Sequence, residues 1–313
     1  MFEFIFGPVW SSRLGSSLGI DLLGSKTCSF DCLYCESGKT EAKTVARKPY
    51  VPLEKVEQEL TRWFSCDLQI PDHITLGGEG EPCLNSELGT ILDIVKKLRP
   101  DIPAAVLTNS SLLNDPGVRK ELLKADVVLP SLDSMVEEEF LRINRPHPGI
   151  KLKQIIQGLM DFRQEFSGKL FLEVLILPGI NDSLRNRELL LDFCTVLKPD
   201  RVDLTTMTRP GAHIGPDMPD KLFLEAWNRD FRASSKQEVT RASQACITGP
   251  AVEQRIRASV QRRPQTMEQL VQALGIHKEE ALAALASLES SGKIRALTDQ
   301  AQSQIFYAEA DRS

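Results

Sequence analysis

The stretch Cys28-Ser29-Phe30-Asp31-Cys32-Leu33-Tyr34-Cys35 decides how the chain is read. Its three cysteines are separated by three and then two residues. Thiolate sulfur is a soft ligand that suits iron–sulfur clusters and zinc. Three thiolates hold three irons of a four-iron cluster and leave the fourth iron without a protein ligand. A closed electron-transfer cluster would use a fourth cysteine, so an open iron points to a small chelating ligand. A zinc knob or three buried thiols are the plainer readings of the same spacing.

Outward from this stretch the chain alternates short apolar runs with helical patterns. Ser17–Leu23 is expected as a strand running straight into the cysteine loop. Further strands are expected at His73–Leu76, Ala104–Leu107, Asp126–Leu132, Leu170–Leu177 and Arg201–Thr206. Helical periodicity falls at Leu53–Phe64, Leu88–Leu98, 115–124, Met135–Ile143, Leu152–Phe166, Leu184–Leu197 and Leu222–Phe231. Such alternation argues for parallel strands with right-handed crossovers, here a partial (β/α)6 TIM-like barrel over residues 1–232. Active sites of these barrels lie at the C-terminal ends of the strands. Most of the polar motifs follow a strand; Ile143–His147, between two helices, does not.

With these residues in hand, the chain resembles the radical S-adenosylmethionine (SAM) superfamily, whose signature is C-x3-C-x2-C with an aromatic before the last cysteine. Tyr34 occupies that aromatic position. Gly19–Leu23, Lys26–Cys32, Gly78–Pro82, Leu107–Ser110, Ile143–His147 and Gly179–Asp182 further resemble a group related to the archaeal wyosine-type tRNA synthases. Those synthases carry extra cysteines before the signature for a second cluster, whereas residues 1–27 here contain none, as expected of a one-cluster member.

The resemblance implies one [4Fe–4S] cluster on Cys28, Cys32 and Cys35, with SAM chelating the open iron. It implies reductive cleavage of SAM to a 5′-deoxyadenosyl radical, fed by an external one-electron reductant. Gly80-Glu81-Pro82 matches the stretch that holds the SAM amino group, with Glu81 as the contact. Asn109, Ser131 and Asp133 suit the SAM carboxylate or ribose, although Asp133 or Ser134 equally suits a helix N-cap. Leu175–Leu177 suits adenine or the core.

Other candidates are weighed individually. Thr205, Thr206, Thr208 and Arg209 end the sixth strand, and Arg142, Arg145 and His147 form a basic cluster. Cys83, two residues after Glu81, reads as a buried apolar thiol before it reads as a hydrogen donor, and Cys194 as a core residue. Ser37-Gly38-Lys39-Thr40 is not a phosphate loop, because Leu33 stands where that loop requires glycine.

Composition is that of a cytoplasmic enzyme with no disulfide framework: 42% hydrophobic, 26% charged, net charge −5 and seven cysteines. No apolar run reaches membrane-spanning length, and no membrane partner is expected. Residues 233–249 read as a linker and 250–313 as a winged-helix-like domain. There a capping box, Thr266 to Gln269, opens a helix that Gly275 closes. Lys278–Ser290 follows, with Leu282, Leu285 and Leu288 as its core stripe, and Ile294–Ala296 and Gln304–Tyr307 read as a two-stranded wing. From residue 251 onward eight basic residues face eight acidic ones, which lacks the basic footprint of a DNA reader. Docking or partner binding is expected instead. The substrate is open among a small molecule, a peptide and RNA, and the alternative to an enzyme is an iron–sulfur sensor.

Overall fold

In the computed structural model, described residues are 2–11, 13–65, 70–207, 213, 225, 227–229, 231, 251–260, 264–299 and 304–310. Most of the expected helix Leu222–Phe231, the linker 233–249, Thr208, Arg209, Cys66 and Cys246 lie outside them.

All six expected strands form, as β2 (Gly15–Asp21), β3 (His73–Gly77), β4 (Ala104–Thr108), β5 (Val127–Pro130), β6 (Lys169–Leu175) and β7 (Arg201–Thr205). A strand the sequence reading missed, β1 (Ile5–Ser11), precedes them and pairs antiparallel with β2. Gly7-Pro8 interrupts its period-two pattern, and the ladder shifts register between Phe6 and Val9. Proline is tolerated at such a bulge but erases the sequence signal. Among the described residues the sheet runs β1 to β7 in order, with every pair from β2 onward parallel.

The crossovers carry α1 (Leu53–Ser65), α2 (Leu88–Leu98), α3 (Pro116–Leu122), α4 (Glu137–Asn144), α5 (Leu152–Glu165) and α6 (Leu184–Leu197). Side chains alternate faces along a strand. Ala104 and Val106 of β4 thus join the core under the helices, while Ala105 packs on the inner side with Leu14, Val127, Leu129 and Phe171. Two packed layers leave the strand ends to carry chemistry. The helices of residues 115–124 and Met135–Ile143 differ from expectation only at their ends.

At the C-terminal ends of β2 and β3 the chain is stitched by backbone. Gly80 bridges Thr27, and the Glu81 amide donates to the Thr27 carbonyl at 3.2 Å. A Cβ on Gly80 would overlap that carbonyl and press on Leu23. Backbone cannot swing aside as a flexible side chain does, so glycine is required here for close approach.

The carboxy-terminal segment folds as α7 (Ala251–Val260), β8 (Gln265–Thr266), α8 (Met267–Leu274), α9 (Lys278–Ser290), β9 (Ile294–Asp299) and β10 (Gln304–Glu309). The two expected strands pair antiparallel as β9 and β10, and β8 adds a third, in the order β8-β10-β9 among the described residues. β8, two residues long, is too short to leave a pattern. The Thr266–Gln269 capping box and the left-handed Gly275 cap form as expected. The expected leucine stripe is corrected. Leu285 and Leu288 are buried with Ala281 and Ala284, but Leu282 is 48% exposed because it lies off that face.

This unit docks on β1 and β2. Ser259 Oγ donates to the Pro8 carbonyl (2.6 Å), the Trp10 amide to Gln265 Oε1 (3.3 Å), and Ser16 Oγ to the Ala273 carbonyl (3.0 Å). The edge strand is thereby covered, which also removes an aggregation-prone edge. Replacing Gly80 with alanine should cost about 2 kcal/mol or more, the upper part of the usual range for single changes. Chemical denaturation of Gly80→Ala measures this; an unchanged midpoint would show that the stitch is dispensable.

Candidate active site

The loop after β2 carries all three motif cysteines, each half-buried and unpaired. The turn after α4 straps it from above. Asp31 N donates to Asn144 O (3.1 Å), Leu33 N to Ile143 O (2.9 Å), and His147 N to Ser29 O (2.8 Å). The Ile143–His147 motif, out of place by strand order, thus belongs to the site through space. Arg145 turns the chain with left-handed backbone (φ 47°) and pairs with Asp31 at 3.1 Å. Burial pushes the Asp31 carboxyl up, but the Thr40 amide, His213 and Arg145 outweigh it and hold it low.

Every motif sulfur has a donor beside it. Asn109 Nδ2 lies 3.5 Å from Cys28 Sγ, Asn144 Nδ2 3.5 Å from Cys32 Sγ, and Lys26 Nζ 2.8 Å from Cys35 Sγ. Without bound iron the Cys28 and Cys32 thiols resist ionising. Burial and then the Glu81 charge push Cys28 up to about 11, and burial, Cys28 and Asp133 raise Cys32 well above its ordinary value. Bound iron reverses that preference. Among the described residues no three His, Cys, Asp or Glu side chains converge as a group for a single metal ion. Three separate thiols met by N–H donors fit a cluster whose irons each take one sulfur.

Asp133 is the centre of the polar network. Its buried carboxylate accepts Tyr34 OH and Asn144 Nδ2 at 2.6 Å each through Oδ2, and the Leu175 amide at 2.9 Å through Oδ1. Asn181 and Asn186 both donate to its carbonyl. Asp133 and Ser134 do not cap α4, whose N-cap is Val136, so that plainer reading is corrected. Burial raises the Asp133 carboxyl, and burial followed by the Asp133 charge raises the Tyr34 phenol.

Glu81 is 1% exposed. Its carboxylate accepts from Thr108 Oγ1 (2.8 Å), the Asn109 amide (2.6 Å) and the Cys83 amide (3.0 Å), and it caps the short 3-10 turn Pro82–Leu84. In this arrangement it positions Gly80 and Asn109 between β3 and β4. Glu79 and Gly78 line an inner cavity of about 180 Å³. Cys83 and Cys194 are buried, as read from sequence, and the Cys83 thiol lies 3.5 Å from Thr108 Oγ1. His147 Nδ1 accepts from Gly149 N within its own turn, and Arg142 donates to the Gly179 carbonyl, so the expected basic cluster is spread over separate structural contacts.

A cleft of about 600 Å³ opens beside the loop, lined by Tyr34, Cys35, Ser131, Asp133, Leu175 and Thr205 on the barrel side. Ile176 and Leu177 are core residues instead. Sequence reading gave no role to Lys26, Asn144, Asn181, Asn186 or the Arg13–Glu173 ion pair. Lys26, Asn144 and Asn181 sit in the quoted motifs, which was the available signal; the others have none.

A family model described as the Radical SAM superfamily matches residues 22–190. A UPF0026 protein of Synechocystis is 40% identical over 210 residues, covering 67% of this chain and 77% of that protein. A protein named GTPase Obg from Brachyspira hyodysenteriae is 33% identical over 295 residues, covering 93% of this chain but only 43% of its own length. The crystal structure of Streptococcus suis SuiB bound to S-adenosylmethionine matches with a TM-score of 0.53 at 17% identity, over 73% of this chain and 50% of that one, a likeness of fold. The chain belongs to the radical SAM superfamily and, within it, to the family of these UPF0026 proteins. Membership implies SAM and a [4Fe–4S] cluster. Among the described residues no helix is long and apolar enough to cross a membrane.

Two outcomes are expected. A Cys28→Ala, Cys32→Ala, Cys35→Ala triple variant should lose iron and sulfide to background by metal analysis after reconstitution. Asp133→Asn turns an amide donor or a single carbonyl toward Tyr34 and Asn144, leaving one buried group unmatched at about 1–3 kcal/mol. Urea unfolding reads that cost, and an unchanged midpoint would remove Asp133 from the centre of the network.

Proposed function

We propose that this chain is a radical SAM enzyme that holds one [4Fe–4S] cluster on Cys28, Cys32 and Cys35. The observation that carries the reading is the three motif sulfurs, each met by an N–H donor, beside a cleft of about 600 Å³. When bound and reduced by an external one-electron donor, the cluster supplies the electron that cleaves SAM to methionine and a 5′-deoxyadenosyl radical. The chain's residues bind and orient. Asn109 and Asn144 donate to the sulfurs, Lys26 places a positive charge beside Cys35, and the Gly77-Gly78 backbone with Glu79 faces the space suited to the SAM ammonium. Glu81 acts on that ligand through Asn109 and the turn. Ser131 and Asp133 line the cleft where ribose hydroxyls and the SAM carboxylate fit.

The element order and three-stranded sheet of residues 251–310 support a winged-helix reading of the carboxy-terminal unit. The motifs shared with the wyosine-type tRNA synthases make RNA the rival substrate class, and an electron-accepting sensor the rival outside catalysis. Anaerobic reconstitution, reduction with dithionite and addition of SAM should release 5′-deoxyadenosine and methionine in equal amounts. A fully loaded protein that leaves SAM intact would sink the enzymatic reading.

A further inference from the structure

The cleft beside the cysteine loop is not closed by the barrel alone. Its far wall comes from the carboxy-terminal unit, as Gln269 and Gln272 of α8 and Gln304 and Phe306 of β10. The unit is held there by its hydrogen bonds to β1 and β2, in which Ser16, Ser259 and Gln265 are buried. Trp10 of β1 borders the same cleft and packs against the unit's core.

The wall is neutral and rich in carboxamides. The charged residues that line the cleft, among the described ones, are Arg13, Glu36, Asp133 and Glu173. The one cation is paired with Glu173. Acids therefore outnumber bases, and a phosphate-bearing ligand would enter against like charge without a basic footprint. Glutamine side chains present both a donor and an acceptor, the complement of an amide group. Phe306 and Trp10 add flat apolar surface for the remainder.

We propose that the carboxy-terminal unit is the substrate-selecting wall of the cleft. Gln272 and Gln304 recognise an uncharged or cationic, amide-bearing group, and polyanions such as RNA are excluded. This deepens the reading of the site as a radical SAM centre and rests on it for the reaction, but not for the binding. An amide of this kind comes from a free small molecule or from a peptide segment, and the two sources are separable.

The test uses the full-length protein and its own fluorescence. Trp63 and Trp227 are buried, at 3% and 4% exposure, whereas Trp10 borders the cleft, so Trp10 is the reporter and Trp10→Phe the control. The probes are N-acetyl-lysine amide, a twelve-residue peptide of Gly, Ser and Lys, and bulk unmodified tRNA, at an ionic strength of about 0.15 M, where screening sets in beyond ~8 Å. At least one amide probe should shift the signal saturably, and Gln272→Ala with Gln304→Ala should weaken that binding about tenfold, or ~1.4 kcal/mol. Response to the free amide and the peptide alike indicates a small-molecule group; response to the peptide alone indicates a peptide segment. Saturable tRNA binding, no response to either amide probe, or equal binding by the double variant would overturn the proposal. SAM cleavage without added substrate is measured in the parent protein as a separate readout. Its absence from the parent defeats the reaction reading and leaves the binding result standing.

Discussion

A single buried carboxylate ties together the parts of this site that chemistry requires to be neighbours. Asp133, at the end of β5, accepts from Tyr34 of the cysteine loop, from Asn144 at the end of α4 and from the Leu175 amide of β6. Its carbonyl takes Asn181 and Asn186, which tether the start of α6 to the same point. A carboxylate with this little water is costly unless its lone pairs are filled, and here three donors fill them. Loss of any partner leaves the others facing an unmatched group. The network is therefore a constraint on geometry as much as a source of stability, and it sets where Cys32 stands through the shared Asn144.

Glu81 repeats the arrangement on the opposite side of the loop. Its carboxylate gathers Thr108, Asn109 and Cys83, and Asn109 in turn reaches Cys28 and Ser29. Two buried acids, one on each side, thus hold two asparagines against two cysteine sulfurs. The third sulfur has a cation, Lys26, at 2.8 Å. Cluster potentials respond to hydrogen bonds and charge at the sulfurs, so a cluster held on these cysteines would be tuned by these three residues.

The carboxy-terminal unit adds a different constraint. By covering β1 it protects the sheet edge, and by the same docking it brings glutamines to the rim of the cleft. From residue 251 onward its charges sum to zero, so it carries no basic excess of the kind that draws a polyanion.

Much of this was legible in the chain before folding. Period-two and period-3.6 patterns placed six parallel strands and their helices, because burial on a sheet or helix face imposes those periods on any sequence. The cysteine spacing and the glycine-acid turn were readable because a short loop keeps sequence neighbours together in space. β1 was not, since Gly7-Pro8 breaks its pattern, and β8 was too short to have one. Nor was the strapping of Ile143–His147 over the cysteine loop, the inward turn of the Glu81 carboxylate, or the meeting of Tyr34, Asn144 and Leu175 on Asp133. The sequence by itself determined the cysteine spacing and the strand–helix order, both of which are local patterns. Only the tertiary structure decided which buried donors meet which acceptors, because those partners lie tens to hundreds of residues apart and pair only once the sheet has curled.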